Sequence, residues 1–328
     1  MPRLTTKTRT ALAALVLGLS TLAAHAQDTK TIHVIVPLLA GSGTDVVARV
    51  FSAALAKELG QPIVIENKAG AATMLGANFV AKSAPDGLTL LVATTSTLSV
   101  LPNIQKTPYD TVKDLAPIAS YASSPFVFVV GTDSKYKTLQ EVIAAAKAAP
   151  GKLTFASSGT GTMTHMVVEL LSSVARANLA HIPYKGVTGA YTDVIGGRVD
   201  LIADAPASAM PQIRGNRMRG LVLTAPQRSP LLPGVPTVGE LGLAGAEADF
   251  ISGLLAPTGV LAPVLARLQV ASLKVAQSQE FKDYLATQVY DPLPGDGASF
   301  SRIIREGLAK WAAVVKEREI KVEQSPAK

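Results

Sequence analysis

The chain has 328 residues, of which 48% are hydrophobic, 17% charged and only 5% aromatic. This length predicts about two domains, and the low aromatic content favours helices packed on sheets over a β-sandwich. The formal net charge is +7, but no dense cluster of Lys and Arg is interleaved with aromatic residues, so nucleic-acid binding is not expected. The absence of cysteine excludes a disulfide framework and a lipid-anchored thiol.

Residues 1–26 have the pattern of a cleaved signal peptide. Three basic residues precede the apolar stretch 11–23, and Ala24-His25-Ala26 forms an A-x-A cleavage site before Gln27. The apolar stretch is too short to anchor the chain in a bilayer. We therefore predict a soluble periplasmic protein, whose net charge falls to +4 when the three basic residues are removed.

The mature chain begins with alternating strand and helix patterns, which predict a parallel sheet with helices on its faces. The predicted elements are a strand at 32–36, a helix from Val47 to Leu59, a strand at 62–67, a helix at 73–83 and a strand at 88–94.

The same order starts again near residue 125. The predicted elements are strands at 125–130, 153–157, 179–184, 199–204 and 219–224, and helices at 138–148, 164–175 and 190–197. Thr138 and Glu141 have capping-box spacing at the start of their helix. A proline-rich loop covers 225–236, and the tail has predicted helices at 262–277 and 298–319, with a possible strand at 289–293.

These two units predict an α/β protein of two lobes, each a central sheet flanked by helices. We place the first lobe at 27–124 plus 250–328 and the second at 125–249, with crossings near 125–130 and 250–256. Two-lobed proteins of this kind close by bending a few connecting residues.

Two glycine turns, one per lobe, join a strand to a helix. They are "PLLAGSGTDVVAR" at 37–49 and "ASSGTGTMTHMVVE" at 156–169. Unpaired N–H groups, the helix dipole and nearby hydroxyls can bind an anion at such a turn without Lys or Arg. Each turn could instead only redirect the chain and cap its helix, but two matching turns in different lobes favour a shared anion site. Neither is G-x-G-x-x-G or a Walker A loop, so a carboxylate fits better than a nucleotide.

Other residues could join this site. Ser96 lies in "TTST" at 94–97, which either supplies hydroxyls to the cleft or is a polar loop. His165 either reaches the ligand or packs in its helix, Gly186 follows a strand, and Asp204 could bind a water or link the lobes. No nucleophile elbow, H-E-x-x-H motif or metal-ligand spacing is present, so no catalytic residue, metal or cofactor is expected.

Several motifs in a fixed order resemble one known family. They are "ENKAGAAT" (66–73), "APDGLTLL" (84–91), "SSGTGTMTH" (157–165), "HIPYKG" (181–186), "DVIGGRVD" (193–200) and "RSPLLPGVPTVGELG" (228–242). Together they resemble the periplasmic solute receptors of tripartite tricarboxylate transporters, the Bug family, over the whole mature chain. The resemblance implies a type II periplasmic-binding-protein (Venus flytrap) fold, capture of a carboxylate and delivery to a membrane permease by a monomer.

The resemblance also implies which residues hold the ligand. They are Gly41, Ser42, Gly43, Thr44 and Asp45 on one lobe and Ser158, Gly159, Thr160, Gly161, Thr162 and His165 on the other, with Gly186 and Asp204 nearby. The first turn of the family usually reads P-F-P-P-G-G-G-x-D, whereas here Leu38, Leu39, Ala40 and Ser42 depart from it. We therefore expect Leu38 to line a roomier or more apolar pocket that takes a di- or tricarboxylate or an aromatic carboxylate.

Two other functions fit the same architecture. A sensory subunit would capture the ligand in the same way but dock to a membrane histidine kinase. A secreted enzyme would need a nucleophile, a base or a cofactor lysine in the cleft, and the sequence offers none in a recognisable motif.

Overall fold

The computed structural model describes residues 30–320. The predicted signal segment 1–26 lies outside the described residues. Within the described part of the chain, the helices are too short or too polar to span a lipid bilayer.

The described chain contains two β-sheets. The strands are β1 (Ile32–Val36), β2 (Ile63–Asn67), β3 (Thr89–Thr94), β4 (Leu115–Pro125), β5 (Val127–Gly131), β6 (Thr154–Ser157), β7 (Ala180–Pro183), β8 (Leu201–Asp204), β9 (Met218–Leu223), β10 (Asp249–Pro257) and β11 (Asp291–Asp296).

Helices pack on the faces of these sheets. They are α1 (Gly43–Leu59), α2 (Met74–Ala81), α3 (Leu101–Ile104), α4 (Leu139–Ala148), α5 (Met163–Ala175), α6 (Val187–Ile195), α7 (Pro206–Arg214), α8 (Ala262–Gln277), α9 (Gln279–Thr287) and α10 (Gly297–Glu317). A short 3₁₀ turn (Ala71–Thr73) precedes α2, and a π-helical turn (Ser96–Val100) precedes α3.

The first sheet has the strand order β11-β4-β10-β3-β1-β2, and the second has the order β7-β6-β8-β5-β9. We call these sheets with their helices the first lobe and the second lobe. The predicted parallel pairing is confirmed, because β1 pairs in parallel with β2 and β3, and β6 pairs in parallel with β7 and β8. The strands β10, β4 and β11 extend the first sheet in antiparallel pairs.

Most predicted elements are present, including the capping box of Thr138 and Glu141 at the start of α4. The sequence analysis missed β4, α3, α7 and α9. The reason is visible in β4, which contains Pro117 and Pro125 and is rich in Ala and Ser, residues of low β-propensity. It forms a strand because β10 and β11 pair with its two edges and most of its side chains are buried. Similarly, α7 begins at Pro206 and carries Pro211 inside it.

The crossings between the lobes are joined by one buried threonine. Thr224, which follows β9, accepts a hydrogen bond from the N–H of Phe126 at 2.8 Å and donates its hydroxyl to the carbonyl of Ala248 at 2.5 Å. Phe126 lies between β4 and β5, and Ala248 precedes β10. The hydroxyl therefore links both connections between the sheets to the end of β9.

The last long helix contributes to the cores of both lobes. Phe300 and Ile304 of α10 belong to a buried cluster on the first sheet, together with Ile35 and Leu255. About two to four turns later, Trp311 and Val314 belong to the main buried cluster of the second lobe. Because α10 buries apolar side chains against both sheets, it fastens the two lobes to each other.

Candidate functional site

A cavity of about 420 Å³ lies between loops of the two lobes. Its walls include Leu38, which follows β1, Ser96, which follows β3, and Thr160, Gly161 and Thr162, which follow β6. These strands are parallel within their sheets, so their carboxyl ends lie at one edge of each sheet, where ligands of open α/β sheets bind.

The first turn is organised around the carboxylate of Asp45, which is buried. This carboxylate accepts hydrogen bonds from the N–H of Gly41 at 2.8 Å, from Nε of Arg49 at 2.9 Å and from Nδ2 of Asn67 at 2.8 Å. Burial alone would raise the pKa of Asp45, but the bonds from Arg49, Gly41 and Asn67 outweigh burial and hold the pKa below its ordinary value. Asp45 therefore holds the turn together, and its side chain is occupied inside the protein.

Helix α1 begins at this turn with its first amides unpaired by the helix itself. Ser42 is the N-cap, and its hydroxyl accepts the N–H of Asp45 at 3.3 Å. The amides of Gly43 and Thr44 precede the first intrahelical bond. A Cβ on Gly43 would come 3.0 Å from the Tyr290 hydroxyl, so a larger residue would require this tyrosine to shift.

The second turn is held by its own hydroxyl groups. Thr162 donates its hydroxyl to the carbonyl of Gly159 at 2.7 Å, and the N–H of Ser158 donates to the hydroxyl of Thr164 at 2.9 Å. Gly159 and Gly161 have φ values of +138° and +78°, a region that favours glycine. The hydroxyl of Thr160 has no hydrogen-bond partner within residues 30–320, and this side chain is exposed where the turn lines the cavity.

His165 supports this turn from behind. Its Nδ1 accepts the N–H of Gly161 at 3.0 Å, which requires Nε2 to carry the proton. Nε2 lies 3.5 Å from Oε1 of Glu169, and Oε2 of Glu169 accepts Nε of Arg318 at 2.6 Å. Both ring nitrogens of the buried His165 thus face protein groups, and the histidine positions the turn through Gly161.

A stack of rings fixes the orientation of His165. The rings of His165 and His181 are parallel to within 14° at a centroid distance of 3.8 Å, and Phe155 stacks on His181 at 4.9 Å. Nε2 of His181 lies 2.6 Å from the hydroxyl of Ser157. Burial, with a smaller contribution from His165, lowers the pKa of His181 to about 4, so the ring is neutral at pH 7.

Gly186 follows β7 and Asp204 is the last residue of β8; these two strands are the neighbours of β6 on its two sides. Asp204 is buried and accepts hydrogen bonds from the Tyr191 hydroxyl at 2.7 Å and from the N–H of Ala205 at 2.8 Å. Burial raises the pKa of Asp204 to about 6, although both hydrogen bonds oppose the shift. Gly186 has a φ of +98° and open space around its Cα.

The cavity brings together five of the predicted site residues: Leu38, Ser96, Thr160, Gly161 and Thr162. The other predicted residues build the turns that carry these five, or follow neighbouring strands. The cavity walls that the sequence analysis did not assign to the site are Ala71, Ala72, Thr73, Met74, Thr94, Leu101, Ile104, Gln105 and Phe250. The quoted motif at 66–73 overlaps three of them, and Thr94 lies in the stretch 94–97 that the sequence analysis offered as a source of hydroxyls to the cleft.

No group of three or more His, Cys, Asp and Glu side chains in the described part of the chain is arranged to hold a metal ion.

Comparison with known proteins identifies consistent relatives. The sequence model described as "Tripartite tricarboxylate transporter family receptor" matches residues 47–320. The protein BugT of Bordetella pertussis is 33% identical over 299 residues, which cover 90% of this chain and 91% of BugT.

Two solved structures resemble the whole fold. MatC from Rhodopseudomonas palustris, solved with bound malate, is 31% identical with a TM-score of 0.74 and covers 87% of this chain and 98% of its own. A second R. palustris protein, solved with adipate, is 26% identical with a TM-score of 0.77 and covers 89% of this chain and 98% of its own. The two-lobed α/β architecture is thus the periplasmic-binding-protein fold.

Proposed function

Because the chain belongs to the tripartite tricarboxylate transporter receptor family, we propose that it captures a small carboxylate in the cavity between its lobes. The observation that carries the proposal is the pairing of Leu38 and Ser96 from the first lobe with the Thr160–Thr162 turn of the second around one cavity. A ligand held there contacts both lobes and favours their closed arrangement.

The chemistry of the turns supports an anionic ligand. The α5 helix begins at Met163, directly after the turn that lines the cavity, and its first amides lack partners within the helix. Those amides and the helix dipole favour negative charge, and the unpaired hydroxyl of Thr160 adds a donor. On the first lobe, the α1 N-terminus presents the amides of Gly43 and Thr44 in the same way. These two turns, with Ser96, Gly186 and Asp204 near them, form the proposed ligand site.

The relatives support the carboxylate class. Malate and adipate, which the two R. palustris structures contain, are both dicarboxylates. They differ in length and polarity, so they support carboxylate recognition without fixing the rest of the ligand.

We further propose that the chain acts in the periplasm after removal of residues 1–26 and delivers its ligand to a membrane permease of the tripartite type. The lobes of this receptor are 27–124 plus 250–328 and 125–249. It works as a monomer and acts without a cofactor.

A thermal-shift screen of organic acids tests the proposal, because a ligand that binds the native state raises the melting temperature by mass action. We expect at least one carboxylate to do so, and Thr160→Ala to weaken its binding about tenfold through loss of a hydrogen bond to a charged group. Thr287→Ala is the matched control, since the exposed Thr287 hydroxyl bonds only local groups, donating to the carbonyl of Tyr284 and accepting from Nε2 of Gln288. If no organic acid shifts the melting temperature, the proposed function is wrong.

A further inference from the structure

The walls of the cavity are mainly apolar, and none of the described residues that line it carries a charge. The apolar members are Leu38, Ala71, Ala72, Met74, Leu101, Ile104 and Phe250. They lie on four separate segments of the first lobe, whereas the second lobe contributes the Thr160–Thr162 turn to the lining. The apolar surface is therefore supplied by the first lobe, and the polar turn by the second.

Much of the polar lining is already engaged inside the protein. The hydroxyl of Thr97, behind the cavity, donates to that of Thr73 at 3.0 Å and lies 3.4 Å from that of Thr94. Thr162 donates to the carbonyl of Gly159.

Three polar, uncharged side chains of the lining form no hydrogen bond within residues 30–320: Ser96, Gln105 and Thr160. The cavity thus offers neutral hydrogen-bond groups, the amides of the turn and apolar surface, but no cation.

We propose that the ligand is a monocarboxylate with an apolar body. This inference rests on the proposed function, because it places the carboxylate of the ligand at the Thr160–Thr162 turn. The body then contacts Leu38, Leu101 and Phe250, whose burial against it is favourable. A cavity of about 420 Å³ lies within the range of roughly 300–1,000 Å³ that is common for small-molecule sites.

A second carboxylate on the ligand would be unfavourable here. A buried charge must be paired or fully hydrogen-bonded to offset the loss of its hydration. The turn can satisfy one carboxylate with amides and hydroxyls, whereas elsewhere in the described lining only Ser96 and Gln105 have unpaired polar side chains, and they supply no charge to offset a second carboxylate. The structure therefore predicts discrimination between two ligands that differ only at the far end of the body. The ligand with a methyl group or a ring edge there should bind more tightly than the ligand with a carboxylate.

Calorimetry on matched pairs tests this inference. The pairs are hexanoate with adipate, octanoate with suberate, and benzoate with terephthalate. We expect the monocarboxylate of at least one pair to bind, and to bind at least about tenfold more tightly than its dicarboxylate. A dicarboxylate that binds as tightly as its partner or more tightly would overturn the inference, and so would binding of malate when every monocarboxylate fails. In both cases the proposed function would stand, whereas it fails if no acid binds at all.

A charge placed in the cavity provides a second test. Gln105→Lys puts a cation among the apolar walls, so it should improve adipate binding relative to hexanoate by about tenfold. Gln140→Lys adds the same charge at an exposed position of α4 and should leave the ratio unchanged. If the Gln105→Lys variant folds but has the same ratio of adipate to hexanoate affinity as Gln140→Lys, the placement of the ligand is contradicted. If the variant does not fold, the matched pairs measured on the wild-type protein decide the inference.

Discussion

The backbone N–H of Gly161 donates to Nδ1 of His165 at 3.0 Å, so a side chain four residues along the chain fixes the turn that faces the cleft. The bond satisfies the Gly161 amide inside the protein, so that Thr160 and the first amides of α5 are the groups left for the proposed ligand. His165 is accordingly buried, although it lies in the first turn of the helix beside the cavity.

Removal of this acceptor should weaken ligand binding. His165→Phe keeps a ring for the stack with Phe155 and His181 but leaves the Gly161 N–H without its partner. We expect the dissociation constant to rise about tenfold, measured by calorimetry with whichever acid binds the wild-type protein.

His165→Asn is the matched variant, because its Oδ1 can take the place of Nδ1 as acceptor. It should bind more tightly than His165→Phe even though it lacks the ring. If both variants bind the acid as the wild type does, His165 does not position the turn.

Arg318 should stabilise the fold through Glu169. Arg318→Gln leaves a buried carboxylate without its cation, so the free energy of unfolding should fall by roughly 3 kcal/mol. Arg305→Gln, at an exposed position of α10, the helix that ends just before Arg318, should change it by less than about 0.5 kcal/mol. Urea denaturation of the three proteins at pH 7 measures both values, and equal losses in the two variants would contradict the role of the ion pair.

Glu169 gives this ion pair a defined pH dependence. Burial would raise the pKa of Glu169, but the His165 ring and the Arg318 guanidinium outweigh burial and lower it below 4.5. A carboxyl group whose pKa is lower in the folded than in the unfolded protein stabilises the folded state at pH values above its unfolded pKa. This contribution is lost as the pH falls through its folded pKa. The stability difference between wild type and Glu169→Gln should therefore shrink steadily below pH 4.5. A difference that stays constant with pH would show that charge is not involved.

Asp204 should act in the opposite direction. Its folded pKa of about 6 lies above the unfolded value near 3.8, so the folded state binds more protons between these values and stability falls as the pH rises through them. Asp204→Asn removes this dependence. We expect the variant to gain stability relative to wild type from pH 4 to pH 7, by at most about 3 kcal/mol in urea denaturation. Parallel pH profiles of the two proteins would contradict the raised pKa.

Thr224 should stabilise the connections between the lobes. Thr224→Val keeps the shape of the side chain but leaves the Phe126 N–H and the Ala248 carbonyl without their buried partner. We expect a loss of about 1–3 kcal/mol in the free energy of unfolding. Thr224→Ser retains the hydroxyl and should recover most of this loss, so similar stabilities of the Val and Ser variants would show that the hydroxyl does not matter.

The sequence alone predicted the parts of the candidate site that depend on local patterns. A strand followed by glycines and a helix start located both turns, because strand, turn and helix cues lie within a few residues of each other. The strand β4 was missed since its stability comes from pairing with β10 and β11, which are distant in sequence. Arg318 and Phe250 were missed for the same reason: their roles depend on side chains that only the folded chain brings near Glu169 and the cavity.

The packing of α10 also sets an order of events during folding. Phe300 and Trp311, only 11 residues apart, complete the cores of different lobes. A nascent chain that has emerged only as far as residue 296 would have all eleven strands but would expose apolar surface on both sheets. Neither lobe can reach its final stability until this one late segment has been made, so the two halves of the protein should gain protection from proteases together.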